Sequence, residues 1–298
     1  MSIAAAEAQE LGLESQSGLW RDAFDRLKRN PSALIGFAFI LLFLVSAVFA
    51  PLITSNGPGE QVGSLGSNGT PPSSENWFGL DEQGRDYFAR VVYGARLSLL
   101  VGVVSVAIGL TIGLVLGSLA GYFGKWVDTA IMRTMDIMLA VPSFLLAIAI
   151  VSVLDRGVVQ IMIAVGLIQV PIFARLLRSG IIAQRESDYV LAARSIGVPP
   201  RRMMMRHILP NSLSPVIVQG TLAVATAIIE VAALSFVGLG PREPGLPEWG
   251  LMLAEHASRL EAGAHLVFFP GMAIVLSVLG FNMIGDGLRE ALDPKLRS

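Results

Sequence analysis

The chain has 298 residues, of which 53% are hydrophobic and 15% are charged, and its formal net charge is −1. Soluble domains carry about 25% charged residues, so this composition excludes an ordinary solvated surface, and a disordered chain would carry still more charge. The near-zero net charge offers no basic field for nucleic acid, and the absence of cysteine excludes disulfides, thiolate catalysis and cysteine-ligated metal sites.

The first 30 residues are predicted to form a cytoplasmic tail. Trp20, Phe24 and Leu27 fall at helical spacing, opposite charged side chains. This pattern indicates a short amphipathic helix that lies on the membrane surface ahead of the first membrane span. A solvated helix that leads into the span is the alternative.

Six nearly uncharged runs follow. A helix needs about 20 apolar residues, at a rise of 1.5 Å each, to cross a hydrocarbon core about 30 Å thick. Six such runs in one chain predict an all-α integral membrane protein with six transmembrane helices. We assign the first helix to 31–54, an external segment to 55–96 and the core to 97–298. The runs themselves are 33–53, 97–124, 137–154, 157–174, 211–240 and 266–285.

The orientation follows from the distribution of basic residues between the two sides. Of the 22 Lys and Arg residues, 16 lie before the first span, between spans two and three, between spans four and five, and after the last span. Basic segments stay in the cytoplasm during insertion. Both termini and the loop 175–210 are therefore predicted to be cytoplasmic, whereas 55–96 and 241–265 are predicted to be outside.

Small residues repeat along the second predicted helix. Gly109, Gly113, Gly117 and Gly121 are spaced by four and therefore share one face. Small residues at this spacing allow helix backbones to approach closely in a membrane. The stripe predicts either a sliding or subunit interface, or static packing within the bundle of this chain.

One acidic residue lies deep in the fifth predicted helix. Glu230 is the only ionisable residue between 211 and 240. A carboxylate at the bilayer centre costs about 2.5–3.5 kcal/mol on insertion scales, so it should face protein or a water-filled cavity. We expect Glu230 either to line a substrate path or to make a structural hydrogen bond with a neighbouring helix.

The loop 175–210 is long, basic and helical in pattern. Residues 187–196 read as a short helix that Gly197 ends, and Pro199-Pro200 begins a second short helix over 201–206. Two short helices with alanines on one face form a projection suited to the groove of a partner. The alternative is an ordinary amphipathic loop on the cytoplasmic surface.

Enzymatic chemistry finds no support in the sequence. There is no Gly-x4-Gly-Lys-Ser/Thr motif, so the chain does not bind ATP through a P-loop. No nucleophile and base share a local signature, and the three histidines lack carboxylate or thiolate neighbours at ligand spacing. We expect no catalytic residue, no metal and no cofactor held by this chain.

The loop resembles a known element. Leu191-Ala192-Ala193 with Gly197, followed by His207-Ile208-Leu209-Pro210, is similar to the EAA loop of ABC-importer permeases, with Leu191 in place of the glutamate and His207 in place of the first Ile. Other segments in chain order resemble the peptide and nickel permeases of these importers, and in particular their C-type subunit. These segments are Phe78-Gly79-Leu80-Asp81, Gly84-Arg85-Asp86, Gly121-Tyr122-Phe123-Gly124, Leu234-Ser235-Phe236-Val237-Gly238-Leu239-Gly240, Pro247-Glu248-Trp249-Gly250 and Leu292-Asp293-Pro294.

The resemblance implies a type I ABC-importer transmembrane domain in a bacterial or archaeal plasma membrane, which is the inner membrane in a Gram-negative cell. It implies that the chain pairs with a B-type permease and with two ATPase subunits, which bind the ATP and Mg. An extracytoplasmic solute-binding protein would deliver a peptide-like substrate such as a di- or oligopeptide. The contacts with the ATPases would come from the segment 187–210, at Asp188, Tyr189, Leu191, Ala192, Ala193, Gly197, His207, Leu209 and Pro210.

The outer segment adds three charged candidates. Asp81, Arg85 and Asp86 are expected either to pair with one another at the mouth or to contact the solute-binding protein.

Two other classes of protein fit the sequence less well. A transporter driven by an ion gradient would need several buried ionisable groups or internal repeats, and only Glu230 lies deep. An intramembrane enzyme or scaffold has no supporting motif.

Overall fold

The computed structural model describes residues 24–64, 69–243 and 245–292, except for the side chains of 259–262. Within these ranges the protein is built from helices joined by short connections, with isolated β-bridges in the segment between the first two long helices. Its principal helices, numbered in chain order, are α1 Pro31–Ile53, α2 Tyr87–Phe123, α3 Lys125–Ala140, α4 Ser143–Leu154, α5 Val158–Arg185, α6 Asp188–Ser195, α7 Pro200–Met203, α8 Leu209–Ser212, α9 Ser214–Leu234, α10 Trp249–His256 and α11 Leu260–Leu292.

Five helices in the described ranges are long and apolar enough to cross a membrane, namely α1, α2, α5, α9 with its following turn, and α11. If α3 and α4 are taken together they form a sixth span, which is the third in chain order. The axes of these two helices differ by a bend of 95°. The uncharged run over 137–154 therefore contains a bend at 141–142, where Pro142 breaks the helical hydrogen-bond ladder. Val141 adopts an extended conformation because the residue before a proline is disfavoured in a helix.

Several helices extend beyond their uncharged runs, α2 and α5 among them. The second begins at Tyr87, so ten residues of the predicted external segment are helical. The fourth predicted helix continues to Arg185, eleven residues into the predicted loop 175–210. Hydropathy marks only the part of a helix that lies in hydrocarbon, whereas the backbone hydrogen bonds continue past it among charged side chains.

The centre of the bundle is the close contact between α2 and α5. A Cβ added at Gly109 would lie 2.5 Å from the carbonyl oxygen of Gly166, and one added at Gly117 would lie 2.6 Å from that of Ala174. At Gly113 it would lie 2.5 Å from the Cβ of Phe173. Of the two alternatives for the glycine stripe, the structure therefore has packing within the chain, because α5 covers this face.

The start of α1 and the end of α11 lie on the same side of the bundle. Asn30 caps α1 by accepting from the Ala33 N–H at 3.0 Å, and its amide donates to Glu290 at 2.6 Å. Phe24 begins a helical turn over 24–27, but Trp20 lies outside the described residues. The amphipathic N-terminal helix and the cytoplasmic placement of both termini stay predictions.

Candidate functional site

The segment 187–210, called here the two-helix segment, follows α5 after one sharp turn. Its first helix, α6, spans Asp188–Ser195, and its second, α7, begins at Pro200. Gly197 joins them with a φ of +81°, a conformation that is costly for residues with a side chain. These bounds agree within one residue with the sequence prediction for α6, and α7 begins one residue earlier than predicted.

Internal contacts hold the two-helix segment to the bundle. Val190 is fully buried in the main core. The Tyr189 hydroxyl donates to the Gln184 side chain at 2.7 Å and accepts from the Asn211 amide at 3.2 Å. Asn211 also donates to the backbone carbonyl of His207 at 2.8 Å. The segment is therefore fastened both to α5 and to the helix that leads into α9.

The outer face of the segment carries exposed apolar side chains that no other described residue covers. Leu191 is 48% exposed and Ile196 is 83% exposed, and Ala192 lies exposed between them. Asp188 and Gly197 are also exposed, whereas Ala193 is half-buried against the core. Exposed apolar side chains on a well-anchored projection are typical of a protein interaction site.

The remaining predicted contacts lie at the base of the segment. Met204–Ile208 form a π-helical turn, and Pro210 follows in the first turn of α8. Because proline has no N–H, the Arg206 carbonyl loses its regular helical donor there. His207 and Leu209 are half-buried and Pro210 is exposed. The structure therefore separates these three residues from the apolar outer face.

A second polar cluster lies at the opposite, N-terminal end of α2. Asp81 accepts from the Arg85 Nε at 2.6 Å, from the Arg90 Nη1 at 2.7 Å and from the Arg85 backbone N–H at 3.0 Å. Burial acts to raise the pKa of Asp81, but these hydrogen bonds and positive charges outweigh it and lower the pKa below its ordinary value of 3.8. Arg90 is fully buried and also reaches Glu255 at 3.4 Å.

Asp86 caps α2 beside this cluster. Its carboxylate accepts from the Phe88 N–H at 2.9 Å and from the Asn56 amide at 3.1 Å. Asp81, Arg85 and Asp86 are all buried, which favours structural pairing over direct contact with a partner. Sequence reasoning missed Arg90, because a charge ahead of the uncharged run was taken to lie in a solvated segment.

A buried glutamate joins three helices near the same end. Glu248 accepts from the backbone N–H groups of Gly250 at 2.8 Å and Leu251 at 2.7 Å, and from the hydroxyls of Ser235 at 3.1 Å and Ser98 at 3.4 Å. Burial raises its pKa above the ordinary value of 4.5 despite these hydrogen bonds. The sequence showed Glu248 only as part of a familiar motif, without a role.

Glu230 lies beside the bend between α3 and α4. The Ser143 side chain, at the start of α4, is within reach of its carboxylate. One carboxylate oxygen of Glu230 is buried and has no hydrogen-bond partner among the described residues. Val141, Pro142 and Ser143 are themselves exposed at the surface of the subunit. In the same described part of the chain, no three His, Asp or Glu side chains stand close enough to hold a metal ion.

Comparison with known families gives two adjacent matches. The family described as binding-protein-dependent transport system inner membrane component matches residues 113–298. The family described as the N-terminal TM domain of oligopeptide transport permease C matches residues 18–72.

Individual relatives match along nearly the whole chain. The dipeptide transport system permease protein DppC of Alkalihalophilus pseudofirmus is 51% identical, over 94% of this chain and 91% of the relative. The di/tripeptide permease of Pseudomonas aeruginosa is 43% identical over 93% of each chain, and the glutathione permease GsiD of Pectobacterium atrosepticum is 41% identical over 94% and 92%.

Solved structures share the fold at low identity. The inward-facing methionine ABC transporter MetNI has a chain that aligns with a TM-score of 0.57 and 18% identity. The alignment covers 68% of this protein and 96% of the MetNI chain. This similarity supports the type I ABC-importer fold that the EAA-like segment predicts.

Proposed function

Because this chain belongs to the family of binding-protein-dependent transport system inner membrane components, and is thus a multi-pass permease of the bacterial inner membrane, we propose that it imports di- or oligopeptides. The relatives at 41–51% identity are named for dipeptides, di/tripeptides and glutathione, all of which contain peptide bonds. The shared chemistry of these solutes supports a substrate with a peptide backbone.

We propose the following partners for this subunit. A B-type permease completes the translocation path, an extracytoplasmic solute-binding protein delivers the peptide, and two ATPase subunits dock on the cytoplasmic side. The ATPases hold the ATP and Mg, and this chain binds no cofactor. The absence of a P-loop motif from the sequence supports this division of roles.

Coupling is assigned to the two-helix segment. The single observation that carries the assignment is its apolar outer face, Leu191, Ala192 and Ile196, on a base anchored by buried Val190. A rigid projection transmits a displacement of the ATPases to α5 and α9, to which it is fastened on either side. Leu191 replaces the family glutamate, so either apolar packing takes the place of an ion pair at that contact or the exposed Asp188 supplies the charge.

The test is transport by the complete importer in proteoliposomes. We expect radiolabelled dialanine to accumulate only when ATP, the solute-binding protein and both ATPase subunits are present. Uptake that continues without the ATPase subunits would contradict the importer mechanism. A second outcome would contradict the peptide assignment alone. In that outcome neither dialanine nor longer peptides are taken up, but the solute-binding protein loaded with a different solute still stimulates ATP hydrolysis.

A further inference from the structure

One face of α9 carries polar residues where lipid contact would be unfavourable. Gln219, Thr226 and Glu230 are spaced by seven and four and therefore share a face. Thr226 is exposed on the subunit surface, and Gln219 and Glu230 are half-buried. The face directed into the bundle is buried, at Val224, Ile228 and Val231, and the burial extends through Ala223 and Ala227 to the edge of the polar face, where Glu230 lies. An acidic side chain on the open face needs protein or water against it, since lipid does not solvate it.

The backbone beside this face independently requires protein or water, rather than lipid, against it. At 141–143 the third span is broken and bent by 95°, and all three residues are exposed. Interrupted helical backbone is not tolerated against lipid and is found only where it is covered by protein or lines a water-filled cavity. Ser143, the first residue after the break, lies next to Glu230. Two separate features therefore identify one non-lipid surface.

Glu230 lies within the membrane rather than at its edge. At a rise of about 1.5 Å per residue, it is about 24 Å from Ser214 at the start of α9 and about 14 Å from Leu239 at the end of the following turn. It forms no ion pair with any other described residue, and one of its oxygens is buried without a partner. An ionised carboxylate held in this way has no counter-charge among the described residues.

We propose that Glu230 contacts the substrate in the translocation path and pairs with the protonated amine of a passing peptide. This inference rests on the proposed function. A peptide amine that leaves water for a narrow path loses hydration, and a fixed carboxylate offsets that loss through a charge-assisted hydrogen bond. Ser143 supplies a neutral hydrogen-bonding group beside the carboxylate, whereas the Thr226 hydroxyl donates to the Leu222 carbonyl of its own helix at 3.3 Å. The path-lining alternative for Glu230 is thereby given a chemical role.

The test measures dialanine uptake and binding-protein-stimulated ATP hydrolysis in proteoliposomes that contain the complete importer. We expect Glu230→Gln to lower the number of dialanine molecules imported per ATP by about tenfold or more, the loss typical of a hydrogen bond to a charged group. Glu230→Asp, which keeps the charge, should restore most of the uptake. Thr226→Val, on the same face, is the matched control and should stay within about twofold of wild type.

Three outcomes would overturn the proposal. The first is wild-type uptake by Glu230→Gln. The second is an equal loss in Glu230→Gln and Glu230→Asp. The third is a Glu230→Gln complex that dissociates or melts at lower temperature, because Glu230 would then pair with the second permease. Failure of the wild-type importer to take up any peptide would instead contradict the proposed function, so the two failures are distinguishable.

Discussion

The polar cluster of Asp81, Arg85 and Arg90 at the N-terminal end of α2, called here the Asp81 cluster, and the two-helix segment combine polarity and burial in opposite ways. Around Asp81 and Arg90, charged side chains are buried and paired with one another. Around Leu191 and Ile196, apolar side chains are exposed and unpartnered. The first arrangement is held by contacts within the chain, whereas the second leaves an apolar face for the partner proposed above. The difference separates residues that hold the fold from residues that we propose couple the subunit to the ATPases.

The largest expected effect is on the stability provided by the Asp81 cluster. Arg90→Met leaves buried Asp81 with only one of its two arginines, and breaking a buried pair in this way costs about 3–5 kcal/mol of unfolding free energy. Thermal unfolding of the detergent-purified importer measures the loss. The control is Arg242→Met, which breaks an exposed pair with Asp155 at 3.3 Å and should change stability by less than about 1 kcal/mol. Equal losses would contradict the structural role of Arg90.

A smaller effect is expected in α2, the helix that runs between the two regions. Gly109→Ala forces a methyl group against the Gly166 carbonyl, 2.5 Å away, and overpacking of this kind costs about 1–3 kcal/mol. Gly220→Ala in α9 is the control, since a Cβ there meets nothing within 4 Å, and it should be neutral or slightly stabilising. The melting temperatures of the two variants test the packing. Equal stability in both would show that α2 and α5 are not tightly packed.

In the two-helix segment we expect loss of activity without loss of stability. Ala192→Arg places a long charged side chain on the apolar face and should lower binding-protein-stimulated ATP hydrolysis about tenfold, equivalent to about 1.4 kcal/mol. The melting temperature should stay unchanged, because Ala192 is exposed. Ala183→Arg, at an exposed position in the last turns of α5, is the matched control. An equal loss in both variants would remove the assignment of the coupling face.

The smallest expected effect is a pH dependence of the stability that the Asp81 cluster provides. The pKa of Asp81 is lower in the folded protein than its ordinary value of 3.8, so the unfolded state binds the proton more readily. The stability that Asp81 contributes is therefore fully present above pH 3.8 and is lost as the pH falls through the folded pKa. Melting temperatures across this range should show a step in wild type that Asp81→Asn lacks. An identical pH profile in both proteins would contradict this account.

Local patterns predicted some features well and others poorly. The α6 helix and its Gly197 terminator were predictable because a short amphipathic repeat and a glycine with positive φ are properties of neighbouring residues. Pro142 indicated a possible kink or early helix end at 141–142, but the 95° size of the bend was not predictable, because the apolar run continues unbroken through it. The role of Arg90 was also missed. Its partner Asp81 lies only nine residues away, but the burial of the pair and the contact with Glu255, 165 residues along the chain, depend on how α2 packs.

The sequence by itself determined that lipid is the solvent, that six apolar runs cross it, and that the EAA-like segment belongs to an importer permease. Hydropathy, charge distribution and motif spacing are properties of the chain in one dimension, and no packing is needed to read them. Only the tertiary structure decided that the glycine stripe meets α5 and that Asp81, Arg85 and Asp86 are buried. It also placed Glu230 beside a broken helix. Each of these depends on which distant segment lies opposite, and contacts between distant segments exist only in the folded chain.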